Sequence, residues 1–114
     1  VPIMYSEGVA KGKISLERLV EVLSANPARI FGLDSKGLIA PGKDADIVII
    51  DPKIEWKVSY KELHMNADWS PYEGMKIKGK VIGTILRGVP ICMDGKLVNN
   101  SRGMYLSRKC RERL

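Results

Sequence analysis

The sequence is short of the residues that most often carry chemistry. It holds one histidine, one phenylalanine and two cysteines among 114 residues, and aromatics make up only 6%. A hydrolytic zinc site draws three or four His, Cys or carboxylate ligands onto one ion, so His64 cannot build one alone. His64 and Asp68 stand four apart and would share a face of a helix, but Pro71 and the surrounding turn residues argue for a loop. The plainer reading of His64 is a loop side chain hydrogen-bonded locally. A Ser–His–acid triad is not excluded by composition, yet no G-x-S-x-G elbow is present. There is no G-x-G-x-x-G or G-x-x-x-x-G-K-[ST] phosphate cradle. No apolar run approaches the ~20 residues of a membrane span. Cys92 and Cys110 lack the spacing of a disulfide framework and read as free thiols in a reducing cytoplasm, with Cys92 a small core side chain. The opening Val1-Pro2-Ile3-Met4 has neither an initiator Met nor the basic and apolar regions of a signal peptide. A fragment of a longer chain is therefore expected.

What remains is ordinary for a globular domain or part of one: 45% hydrophobic, 28% charged, formal net charge +6. The charge is uneven. Arg102, Arg108, Lys109, Arg111 and Arg113 face only Glu112 near the end, so the tail carries most of it. Such a tail suits nucleic acid or an acidic surface, a solvated end, or an arm on a neighbouring subunit. No recognised nucleic-acid motif accompanies it, and neither nucleic acid nor membrane is expected as a partner.

Residues 4–13, with Gly8 and Gly12, are expected to form an irregular approach with one helical turn. Ser15 then reads as an N-cap, with Glu17 in the first turn where a carboxylate favours the helix dipole. Leu16, Leu19, Val20 and Leu23 form one apolar stripe at helical spacing. Asn26 and Pro27 read as a stop followed by a second short helix, Asn26 capping it and Pro27 at its first position. Gly32 is placed to end that helix in the left-handed region.

Residues 36–52, KGLIAPGKDADIVIIDP, look like the organising element. Gly37, Leu38 and Ile39 are expected as a short strand, Pro41-Gly42 as a tight turn, and Ile47-Val48-Ile49-Ile50 as a strand buried on both faces or at a sheet centre. Asp44 and Asp46 suit capping the turn better than acting as paired catalytic carboxylates. Residues 55–59 alternate as a further strand, and Ser59 would cap one helical turn over residues 60–63. Residues 64–74 form a loop whose Trp69 and Tyr72 should pack down. Lys76, Lys78 and Lys80 fall on one strand face, either solvated or guarding an edge. Val81, Ile82, Ile85 and Leu86 read as another strand, and Asp94-Gly95 as a type I′ hairpin turn. Tyr105 and Leu106 are the only apolar anchors of the tail. On these grounds the chain is a structural module with no catalytic, cofactor-binding or metal-binding residue of its own.

The phrase G-x-I-A-x-G-x-D-A-D-I-V-I-x-D-P closely resembles the start of the C-terminal part of metal-dependent amidohydrolases. Tyr5-Ser6-Glu7-Gly8-Val9, Lys11-Gly12-Lys13-Ile14-Ser15-Leu16 and Asn26-Pro27-Ala28-Arg29-Ile30-Phe31-Gly32-Leu33 resemble the D-hydantoinase and dihydropyrimidinase branch. The most specific stretch runs from His64 to Gly74 and is similar to that branch's H-x-N-x-D-[YW]-[ST]-P-[YF]-E-G phrase. Gly79-Lys80-Val81, Arg87-Gly88 and Asp94-Gly95 continue the likeness, which covers nearly the whole chain.

The resemblance implies an α/β fragment: closing helices of a TIM-barrel amidohydrolase followed by the C-terminal strands of its small β-sandwich domain. Residues 1–35 would end the (β/α)8 barrel. Residues 36–98 would be the C-terminal part of the sandwich, with loop 60–75 packing back toward the barrel, and 99–114 a basic tail. The parent would open hydantoin or dihydropyrimidine rings, with two divalent metal ions, zinc by expectation, activating a bridging hydroxide. It would be cytoplasmic and homotetrameric. The family's ligands are an H-x-H pair, a carboxylated lysine, two further histidines and an aspartate. All would lie upstream of Val1, so none is carried to a position here, and the chain alone is expected to be inactive. The alternatives are a non-catalytic relative of the collapsin-response-mediator kind, a related cyclic amidase (allantoinase or dihydroorotase), and an independent basic binding module.

Overall fold

The structure, a computed structural model, describes residues 1–100 and 102–108. Its helical layer comes first. α1 (Pro2–Met4) runs without a break into a π-helical turn, Tyr5–Val9, in which Ala10 N–H donates to Tyr5 O at 2.9 Å. The sequence leads to an irregular approach with one helical turn here; the helix instead runs on through Gly8 to Val9. Tertiary anchoring overrides that weak propensity: the Tyr5 ring seats on Gly79, and Ser6 Oγ accepts a hydrogen bond from Lys78 N at 3.1 Å.

The second helical run starts where the sequence places it. Ser15 is extended (φ −75°, ψ 163°), and its Oγ accepts from Arg18 N at 3.1 Å, satisfying an otherwise orphan donor. α2 (Leu16–Val20), a π-helical turn (Glu21–Ala25) and α3 (Asn26–Ile30) then form one continuous rod. The break expected at Asn26 does not occur. Asn26 is itself helical (φ −67°, ψ −46°), and its side-chain Oδ1 accepts from Arg29 Nη2 at 3.3 Å instead of capping. The wide π turn just before Pro27 is the physical reason. It relieves the crowding that a proline ring imposes on the preceding turn, so the helix bypasses the proline without ending. The rod ends at Gly32 (φ +65°), with Leu33 N bonded to Ala28 O at 2.8 Å and Gly32 N to Arg29 O at 3.3 Å. Those two bonds are the Schellman closure.

No strand forms over residues 37–39. Gly37 (φ +90°) lies so close to the helical rod that a Cβ there would sit 2.6 Å from Ala28 Cβ, and its carbonyl accepts from Ser24 Oγ at 3.2 Å. The segment is committed to the helix surface, and Ile39 is left 85% exposed. The turn that follows is as expected. Lys43 N reaches Ala40 O at 3.1 Å with Gly42 at φ +81°, which fits a type II turn with proline at its second position.

The sheet is an antiparallel meander of four strands in the order β1-β2-β3-β4: β1 (Ile47–Lys57), β2 (Lys76–Leu86), β3 (Val89–Met93) and β4 (Lys96–Leu97). The two strands expected on either side of Asp51-Pro52 are a single strand. The register shifts between Asp51 and Glu55, absorbing the proline on an edge where it forfeits no ladder bond. Because β1 is that edge, Val48 and Ile49 are exposed and not buried on both faces. Residues 76–86 likewise form one strand. β3 pairs only with its second half, from Gly83 onward, and the Ser6–Lys78 bond meets the other side of its first half. Arg87-Gly88 (φ 46° and 81°) and Asp94-Gly95 (φ 47° and 75°) make two successive tight hairpin turns of the I′ kind.

Between β1 and β2, Tyr60–Glu62 is a single 3-10 turn. Ser59 makes no side-chain cap. The Tyr60 N–H instead donates to Glu73 Oε2 at 2.7 Å, which closes the base of the loop. The loop does not pack its aromatics down: Trp69 and Tyr72 are exposed. The core is small, with Leu19, Ala28, Val58 and Ile77 as its buried apolar side chains among the described residues. Cys92 is half-buried, not a core residue, and carries a free thiol. Cys110, with Lys109, Arg111, Glu112 and Arg113, lies outside the described residues. Tyr105 is 93% exposed and anchors nothing; the tail is held instead at the Arg102 carbonyl, which accepts from Arg87 Nη2 at 2.8 Å.

Candidate functional site

The densest polar constellation gathers around Lys36. The type II turn at Pro41-Gly42 folds the chain back on itself, so that Asp44 N bonds Ser35 O at 2.9 Å and the two arms of the loop lie side by side. Lys36, 16% exposed at its side chain, then faces both carboxylates. Its Nζ is 2.8 Å from Asp44 Oδ2 and also donates to Asp46 Oδ2. Asp44 Oδ2 takes a further bond from Ser35 Oγ at 2.8 Å, and Asp46 Oδ1 one from Arg87 N at 2.8 Å. Lys43 Nζ donates to Asp34 O at the loop's mouth.

The electrostatics decide what this cluster can do. The hydrogen bonds from Lys36 and Ser35 hold Asp44 below the ordinary carboxylate value. For Asp46, partial burial pushes upward, but the bonds from Lys36 and from Arg87 N outweigh it and the net direction is down. Lys36 is raised by its bonds to Asp44 and Asp46. A general acid at neutral pH needs a carboxyl whose pKa is raised toward the working pH. Both carboxylates here are driven the other way and remain ionised acceptors. The cluster is a clamp between the helix-to-strand loop and the β2–β3 turn. Sequence reasoning placed Asp44 and Asp46 at a turn but missed Lys36. Its separation of eight and ten residues from its partners becomes a contact only once the Pro41-Gly42 turn has closed.

His64 is exposed, and its ring makes no hydrogen bond with the described residues. Asp68 is exposed in the same loop. Among the described residues, no three His, Cys, Asp or Glu side chains converge as metal ligands. The described residues thus gather no donor set that fits a two-metal centre, and the Asp44 and Asp46 carboxylates are already held by a lysine ammonium. No described helix is long and apolar enough to cross a membrane.

Comparison with known proteins places this architecture. The chain is 48% identical over 109 residues to a D-phenylhydantoinase of Escherichia coli O1:K1, a match covering 94% of this chain and 24% of that protein. Among solved structures, dihydropyrimidinase from Brevibacillus agri superposes with a TM-score of 0.82 at 44% identity, over 85% of this chain and 21% of that one. L-hydantoinase (dihydropyrimidinase) from Arthrobacter aurescens does so with a TM-score of 0.83 at 38% identity, over 87% and 22%. The chain thus spans about a quarter of the length of the relatives it matches. The profile of the amidohydrolase family matches residues 3–98, most of the described length including both the helical rod and the four-stranded sheet, and the chain belongs to that family.

Proposed function

We propose that this chain is the C-terminal share of a metal-dependent hydrolase that opens cyclic amide rings of the hydantoin and dihydropyrimidine type. In this reading residues 1–35 close a (β/α)8 barrel, residues 36–98 belong to a small β-sandwich, and residues 99–114 form a tail reaching a neighbouring subunit of a cytoplasmic homotetramer. The observation that carries it is the likeness to hydantoinases along 94% of the chain. It takes in the loop from His64 to Gly74, whose sequence is the most branch-specific. Barrel hydrolases assemble their chemistry at the C-terminal ends of the barrel strands. The two divalent metals, zinc by this reading, would be held by residues of the remaining three quarters of such a protein. There they would lower the pKa of a bridging water. This chain's own part is then structural: a scaffold of helix and sheet, locked by Lys36.

The test runs on two samples, this chain and a polypeptide that continues it upstream through the barrel. Metal content and hydrolysis of hydantoin and dihydrouracil are measured on both. About two metals and activity in the longer protein, with neither in this chain, is the expected result. Absence of both metal and activity from the longer protein would replace the proposal with a non-catalytic relative. Hydrolysis by this chain alone would place the site among the residues described above and overturn the reading.

A further inference from the structure

Where the π turn at residues 5–9 and the two residues after it meet the start of β2, they wall a groove of about 590 Å³ whose lining includes Ser6, Lys11, Trp56, Lys57, Lys76 and Lys78. That is within the size range of small-molecule sites. The strand register sets Lys57 directly opposite Lys76 and Glu55 opposite Lys78. Like charges facing each other across a strand pair are destabilising, so Lys57 and Lys76 oppose the pairing that brings them together. Only Glu7 and Glu55 offset the four ammonium groups of the groove, and Glu7 is already engaged by Lys11 Nζ at 2.6 Å. The lining therefore carries four lysines against two carboxylates.

We propose that this groove is an anion site for a small polyvalent oxyanion of the phosphate class, bridging Lys57 and Lys76. The chemistry of the lining selects that class. Lysine ammoniums are point charges that donate to phosphate oxygens from many directions without the fixed geometry of the arginine fork, and no arginine among the described residues lines the groove. A nucleic-acid strand would also need an open aromatic platform for its bases. Trp56 does not offer one: its Nε1 donates to Gly79 O at 3.0 Å, and Lys80 Nζ lies 5.4 Å from its ring centroid. The occupant is therefore a base-free anion, independent of any catalytic role of the family.

Pyrophosphate is the probe, titrated into the whole chain by calorimetry and by NMR of the backbone amides at two salt concentrations. Binding should shift the amides of Lys57, Lys76 and Lys78. The double variant K57Q/K76Q should bind at least ten-fold more weakly while melting no lower than the original chain in the absence of ligand, because it removes a repulsion. E55Q, which deletes a competing carboxylate, should bind more tightly. K61Q, outside the groove, and a chain ending at Asn100, without the basic tail, should bind as the original does. Equal binding by K57Q/K76Q, loss of binding on removing the tail, or no preference for pyrophosphate over chloride at matched ionic strength would each overturn the proposal. So would tighter binding of a single-stranded oligonucleotide than of pyrophosphate.

Discussion

Lys36 and Asp44 form an ion pair of 2.8 Å across the Pro41-Gly42 turn, and the same ammonium reaches Asp46, whose other oxygen holds Arg87 N. One cation thus ties the end of the helical rod to the sheet. The pairing also sets how stability depends on pH. Asp44 and Asp46 are lowered from 3.8, so their contribution is present above that value and is lost as pH falls through their depressed folded values. Lys36 is raised from 10.5, so its contribution is full below that value and is lost as pH rises through its raised one. Urea unfolding across pH should show a plateau that drops on both flanks. Lys36→Met should flatten the dependence and lower the midpoint of melting by about 5 °C, roughly what 1 kcal/mol does to a domain of this size. An unchanged pH profile in the variant would sink the clamp.

Gly79 marks a close approach of the two layers. A Cβ there would stand 2.4 Å from Tyr5 Cδ1, on a backbone at φ +93°. Gly79→Ala should cost about 2–4 kcal/mol, from the strained conformation and overpacking together. Gly42→Ala is the matched comparison, since it has the same kind of φ (+81°) but nothing within 4 Å. It should cost only about 1 kcal/mol. Equal losses in the two variants by denaturant titration would show that Tyr5 does not press on the sheet.

Two of the residues that look like helix caps in the sequence, Ser15 and Asn26, should behave differently. Ser15→Ala removes a side-chain bond to Arg18 N and should cost about 1 kcal/mol. Asn26→Ala removes only an exposed contact with Arg29 inside a continuous helix and should change stability by less than about 0.5 kcal/mol. A large loss at Asn26 would mean that the rod breaks there after all.

Leu16, Val20, Leu23 and Phe31 leave an apolar face of the rod open, with Val20 51% and Phe31 55% exposed. Only Leu19 of the expected stripe is buried. Contiguous apolar surface of this kind drives association. Sedimentation of this chain should be concentration-dependent, and replacing Val20 and Leu23 by Glu should return it to a monomer. A monodisperse monomer of the unsubstituted chain would count against the prediction.

The features legible from sequence were those whose causes lie within a few residues. Proline at the second and glycine at the third position made the 40–43 turn readable, Ser15 its cap, Gly32 the helix end and Asp94-Gly95 the hairpin. Motif likeness, also a property of the linear text, identified the family across nearly the whole chain. The features that were not legible depend on what a residue meets. Asn26-Pro27 carries a strong local stop signal, but a π turn upstream lets the helix run on. Gly37-Leu38-Ile39 reads as a strand until Gly37 is found pressed against Ala28. Ile47-Val48-Ile49-Ile50 reads as core, yet β1 stands at the sheet edge, and burial follows from neighbours, not from side-chain type.

The polar cluster divides in the same way. The sequence by itself determined that Asp44 and Asp46 stand at a turn before a strand, because spacing and turn chemistry are local. Only the tertiary structure decided that Lys36 lies between them, that Arg87 closes the clamp from 41 residues away, and that Lys57 must face Lys76. These are encounters between distant parts of the chain, and their energies come from distances and dielectric surroundings that exist only once the helix and the sheet have come together.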